Sequence, residues 1–339
     1  MTISDGKRII ETSSQNDVRL ERCTRWEELQ EAVQYHAQLA ALLEAPTKFV
    51  LLNDPCGDHA CQQEMSIGER GSEWIQEDLE IFLSGISNVQ PGGATPLTMH
   101  LQRFRRSIDR LHEKIVLVLA TDGRPTDSFG YSSPAVDRAF ENALREIQTK
   151  AWVVIRLCTN EESILEYYKK LDEQMELSLE VLDDYLDEAL EVYQHNPWLT
   201  YSLSLHRCRE MGMSCHALHR WLDWLDERSL TRAEIYQVIQ ILGIVDWTKS
   251  PHVLHEPEQW KSFCDAVDRE QKQLASQRNE VTGRSLLAFS PWNPIRKRTT
   301  SWIDIRVLRR QGQKSLTWSQ VTLIMVAVLA IMAALLRFQ

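Results

Sequence analysis

Apolar residues in the first half of the chain recur in two rhythms. Over Arg25–Leu43, Trp26, Leu29, Val33, Ala37 and Ala40 fall near one face of a helix. Pro96–Leu111 repeats the pattern with Leu97, Leu101, Phe104 and Ile108, and Glu73–Leu83 and Ala135–Gln148 read as further helices. Between them lie short apolar runs: Lys48–Asn53 (KFVLLN), Lys114–Ala120 (KIVLVLA) and Ala151–Cys158 (AWVVIRLC). The last two are continuous, as expected of strands covered on both faces. Strands alternating with helices predict an α/β fold, with an open, mostly parallel sheet flanked by helices.

Beyond Thr159 the rhythm is helical throughout. Glu161–Tyr193 holds twelve acids against two lysines and predicts acidic helices with a Leu/Val/Tyr stripe. Leu199–Met211, His216–Asp226 and Thr231–Leu242 continue the series, and Thr231-x-x-Glu234 has the form of a capping box. Prolines 251, 257, 291 and 294 break up the rest around one helix near Glu258–Gln277. Residues 316–336 contain no charge and would span roughly 31 Å as a helix, close to the ~30 Å hydrocarbon core of a bilayer. This pattern predicts a C-terminal transmembrane helix.

Charge sharpens that expectation. The 339 residues carry a formal net charge of −10, which argues against a general nucleic-acid binder. Seven basic residues and one acid nevertheless fall between Arg296 and Lys314, just before the apolar run. A positive flank marks the cytosolic side. The expected placement is therefore a tail-anchored, single-pass membrane protein with its body in the cytosol, at the endoplasmic reticulum or mitochondrial outer membrane. The expected domains are an α/β unit over 1–160, an acidic helical extension over 161–245, an irregular basic juxtamembrane segment over 246–315 and the span at 316–336. Seven widely spaced cysteines in a cytosolic body are expected to be reduced thiols.

Two loops carry candidate chemistry. Pro91-Gly-Gly-Ala-Thr95-Pro-Leu97 opens a helix, and Thr121-Asp122-Gly-Arg-Pro-Thr126-Asp127 follows the buried strand. Ligands of open α/β sheets bind outside the carboxyl ends of strands. A threonine hydroxyl and an aspartate presented there suit a hard, oxygen-seeking divalent cation.

In this order the two motifs resemble the second and third elements of the metal-ion-dependent adhesion site of the von Willebrand factor A (vWA) domain family, over roughly residues 1–160. The resemblance implies Mg²⁺ or Mn²⁺ held by Thr95, with Asp122 binding directly or through water and a partner protein's carboxylate completing the shell. The first element, Asp-x-Ser-x-Ser after a central strand, has no counterpart, so the expectation is a vWA-like unit truncated before that motif, with an incomplete metal site. Lys7–Ile10 or Asp17–Leu20 would have to replace the missing strand, or its neighbours would pair directly.

The functional expectation is a non-enzymatic protein-interaction module with a protein partner, a lipid bilayer and no nucleic acid. The alternative is a metal-dependent hydrolase or zinc protein using Asp122, the group Cys56, His59 and Cys61, or the group Cys208, Cys215, His216 and His219. Neither Cys/His group has a complete zinc-ligand set at the usual spacing. His-Glu-x-x-His, Gly-x-Ser-x-Gly and Walker A patterns are absent.

Overall fold

The computed structural model describes residues 1–11, 18–55, 62–109, 111, 113–175, 179–215, 217–246, 254–276 and 291–311. In chain order the elements are β1 (Gly6–Glu11), β2 (Val18–Cys23), α1 (Arg25–Leu42), β3 (Thr47–Val50), β4 (Glu64–Ile67), α2 (Ile75–Asn88), α3 (Leu97–Ile108), β5 (Ile115–Thr121), α4 (Pro134–Ile147), β6 (Ala151–Leu157), α5 (Glu162–Gln174) and β7 (Leu179–Leu182). There follow α6 (Tyr185–His195), α7 (Leu203–Glu210), α8 (Trp224–Glu227), α9 (Arg232–Ile241), α10 (Pro257–Ser276), β8 (Trp292–Asn293), β9 (Arg298–Thr299) and α11 (Ile305–Gln311).

The helices start where local chemistry stops the chain. Thr24 and Thr231 each close a capping box with the glutamate three residues on, Glu27 and Glu234, so the box read at Thr231 is present. Ser133 caps α4 ahead of a proline in its first turn, and Asp184 caps α6 through the amides of Leu186 and Asp187.

The sheet departs from expectation. One open, mostly parallel vWA- or Rossmann-like sheet was predicted; the described residues instead form a mixed α/β fold with a small parallel sheet, β5-β6-β7, and three separate antiparallel pairs, β1-β2, β3-β4 and β8-β9. The polar pattern explains why. GKRIIE and VRLERC each place charges at three of six positions, which suits a ribbon exposed on one side and not a strand buried on both faces. The two segments considered as replacements for a central strand therefore pair with each other, Ile9 opposite Leu20. β3 and β5 do not pair directly. β7 was also missed: LEVL lies in the acidic stretch read as helical, yet it completes the parallel sheet beyond residue 160.

The predicted transmembrane helix and the localisation built on it are corrected too. No helix among the described residues is long and apolar enough to cross a membrane. The two longest, α1 and α10, carry Arg25, Glu27, Glu28 and Glu31, and Glu258, Lys261, Asp265, Asp268, Arg269, Glu270 and Lys272. Charges at that density are prohibitive in hydrocarbon. The apolar run 316–336 lies outside the described residues, so a single-pass, tail-anchored placement has no support in the structure. Part of the basic stretch is held on the body rather than presented as a collar. Arg296 reaches Asp304 and Arg309 reaches Asp265, while Thr200 N–H donates to Trp302 O and Asp304 N–H to Trp198 O.

Three apolar cores result. One joins α1, α2 and the β3-β4 pair around Phe82 and Ile67; one packs α3, α4 and α5 on the parallel sheet around Phe140, Leu144 and Ile155; the third fills the helical region around Trp198, Phe263 and Leu308. Gly212 lets the third region approach the sheet. It turns the chain after α7 at φ +71°, and a Cβ there would come within 2.6 Å of Val116 Cγ1.

Buried ion pairs lock these parts together. Arg156, in the middle strand and only 3% exposed, donates from Nε to Glu210 Oε1 of α7 (2.5 Å) and from Nη2 to Glu28 Oε1 of α1 (2.7 Å). Glu28 and Asp184 also receive Arg25 of α1, and Glu210 receives Arg207 (2.7 Å) and His36 (3.0 Å). Burial opposes ionisation of Glu210, but Arg156 and Arg207 outweigh it and hold its carboxyl well below the usual 4.5. Removing that charge takes the carboxylate partner from buried Arg207 and leaves Arg156 with Glu28 alone. Glu210→Gln is expected to lower unfolding stability by about 3–5 kcal/mol, checked by urea unfolding at neutral pH.

Candidate functional site

The carboxyl end of β5 feeds directly into a tight turn. Thr121 Oγ1 accepts from Gly123 N–H (3.2 Å), and Tyr168 of α5 donates to Gly123 O (3.0 Å). Burial pushes the Tyr168 phenol far above its usual range, so it serves as a donor here. These bonds fix Asp122 at the rim, half-buried, where the terminal ammonium of Met1 makes an ion pair with Oδ2.

The second loop closes onto the first. Asn53 Nδ2 donates to Gly92 O (2.9 Å) and Ala94 O (2.8 Å), while Gly93 takes φ +97° with Asn53 packed where a Cβ would stand. Thr95 N–H donates to Thr126 Oγ1 and Thr126 N–H returns to Thr95 O, both at 2.9 Å. A Cβ on Gly123 would lie 3.4 Å from Thr95 Oγ1. Thr95 and Asp122, picked out separately in the sequence, thus stand at one rim, with the threonine hydroxyl against the residue that follows the aspartate.

A divalent cation asks more of the site. Mg²⁺ demands near-octahedral oxygen coordination. Among the described residues the rim supplies one hydroxyl and one carboxylate, and Thr126 Oγ1 already accepts from a backbone amide. Asp127 is occupied within its own loop: Oδ1 accepts from the amides of Phe129 and Tyr131, both at 2.9 Å. The donor set is too small for Mg²⁺ or Mn²⁺, and no chemistry is derived through either ion.

That same loop presents what sequence reading overlooked. Phe129 is 82% exposed and Tyr131 71% exposed. Gly130 between them adopts φ +86° and donates to Asp127 O, which makes this a bonded turn holding two rings outward. It leans on the Thr95 loop, since a Cβ on Gly130 would meet Ala94 Cβ at 3.8 Å. The available signal was two aromatics inside the polar, glycine-containing run DSFGYSSP.

The other candidate groups fare differently. Cys56, His59, Cys61 and His216 lie outside the described residues, as do the side chains of Cys215 and His219. Cys208 is a free thiol whose titration burial pushes upward, the opposite of an activated sulfur. Cys158 directly follows β6, buried beside Arg156. Carboxylate oxygens of Glu188, Glu191 and Asp226 approach one another within 4.8 Å, but Arg209 already fills the cation's role for Glu188 and Asp226.

Comparison with family models, curated proteins and solved structures finds no match. The resemblance to vWA domains therefore rests on the loop motifs alone.

Titrating Mg²⁺ or Mn²⁺ into the full chain and into a Thr95→Ala, Asp122→Ala double variant is expected to give superimposable, flat isotherms by calorimetry. Stoichiometric heat in the parent, lost in the variant, would show that further oxygen ligands join the site.

Proposed function

We propose that this chain is a non-enzymatic protein-interaction module that grips a protein partner with the loop rim at the carboxyl end of its parallel sheet. The observation that carries this reading is the outward aromatic pair, Phe129 and Tyr131, on a turn bonded through Asp127. Fully burying a large apolar side chain is worth roughly 1.5–3 kcal/mol. A loop free to collapse would recover part of that by folding its rings inward, whereas this one is braced in the open form.

Aromatic side chains are enriched at the buried centres of protein interfaces, ringed by polar groups. Here the same rim carries the polar groups of Thr95, Asp122 and Ser132, the last donating its hydroxyl to Pro125 O. The likeness to vWA loops supports the same use of this edge, for which the partner's contact would be apolar and hydrogen-bonded rather than metal-bridged.

A photo-reactive residue in place of Phe129 in the full chain is expected to give a discrete, saturable protein adduct. The same probe at Leu42, equally exposed on the end of α1, is expected to give none. Each of Phe129→Ala and Tyr131→Ala should weaken capture of that adduct partner about tenfold or more, since an interface anchor contributes about 2 kcal/mol. Both variants should melt with the parent because neither ring packs in a core. Equal labelling at positions 129 and 42, or undiminished capture by both variants, overturns the reading.

A further inference from the structure

Arg209 of α7 is 2% exposed and meets three carboxylates from three elements. Its Nε donates to Glu180 Oε1 of β7 (2.8 Å), Nη1 to Glu188 Oε2 of α6 (2.6 Å) and Nη2 to Asp226 Oδ2 of α8 (2.9 Å). Glu180 and Glu188 are buried much as the arginine is, whereas Asp226 is only partly buried. Fully ionised, the group would hold three negative charges on one positive one. Two of its buried oxygens, Glu180 Oε2 and Asp226 Oδ1, meet no hydrogen-bond donor among the described residues. An uncompensated buried carboxylate costs several kcal/mol and neutralises instead.

The surroundings deepen the imbalance. Glu191 faces the cluster from α6 and Asp223 and Glu227 from the α8 end; behind them, Asp187 adjoins Glu191 and Asp172 of α5 adjoins Asp223 and Glu227. Against them stand Lys169, Arg220 and Arg228. Tyr201 lies beside Arg209 and shares a hydrogen bond with His206 of α7, itself buried and uncharged. Everything that could cancel the excess among these groups is already engaged or lies at the periphery.

We propose that the Glu180–Glu188–Asp226–Arg209 cluster retains a proton at neutral pH and acts as an alkali-sensitive latch between the edge of the parallel sheet and helices α6, α7 and α8. The proton belongs to the group rather than to one oxygen. Burial pushes the Glu188 carboxyl up to about 8, against the pull of Arg209 and with a further push from Asp226; burial likewise carries Glu180 up to about 7. The folded chain then binds more protons than the unfolded one between about 4.5 and 8, so stability declines as pH rises across that window and levels off above it. His206, held down to about 3, and Glu210 act in the opposite sense, but only below about 6.5.

The interval from pH 6.5 to about 8 therefore isolates the latch, below the range where unfolded thiols are fully ionised. Across it the parent's melting temperature is expected to fall by several degrees. Glu188→Gln, which keeps shape and neutrality and gains no charge on unfolding, is expected to melt at or above the parent at pH 6.5 and lose most of the slope. A flat parent profile overturns the proposal, as does a Glu188→Gln chain that keeps the parent's slope or is strongly destabilised already at pH 6.5. Infrared difference spectra of the folded parent give a second reading that needs no variant. A protonated-carboxyl carbonyl band present at pH 6.5 and bleached by pH 9 is expected. Its absence at pH 6.5 excludes the retained proton.

Discussion

A guanidinium in the middle of a buried strand is the constraint around which this molecule is organised. β6 is shielded on both sides, and an arginine there is tolerable only if carboxylates come to it. Glu28 arrives from α1 and Glu210 from α7, so one residue dictates where two distant helices must dock. Arg25 and Arg209 extend the same logic to α6, β7 and α8. Pairs of this kind add little net stability over an apolar core of similar volume, but they punish misplacement. Their effect here is to define one arrangement of sheet and helices.

With the interior fixed in this way, the carboxyl end of the sheet can be specialised. The Thr95 and Asp122 loops are tied together by reciprocal backbone and hydroxyl bonds, and the adjoining turn uses Asp127 to point two rings outward. The rim is rigid where chemistry is exposed. That combination suits recognition of a surface better than it suits capture of a small ion, for which the oxygens are too few.

Much of the element order was legible in the chain. α1, α3, α4, β5, β6 and α9 fall within a few residues of the spans read from apolar periodicity, because each has a strong pattern bounded by a cap, a glycine or a proline. Thr95 and Asp122 were found from turn residues next to a buried strand, a local signal. β4 and β7 were missed because four-residue strands have too few positions for a period to show. Phe129 and Tyr131 were passed over because exposure is not written in a residue's identity.

The sequence by itself determined the local alternation of strands and helices, the caps that start them and the two rim loops, since all of these depend on neighbours within a few positions. Only the tertiary structure decided that β1 and β2 pair with each other rather than entering the sheet, and that Arg156 meets partners 128 and 54 residues away. The same holds for three acids converging on Arg209. The physical reason is that ladder pairing and charge compensation are settled by what is nearby in space once the chain has collapsed, and the burial that makes an unpaired charge intolerable exists only then.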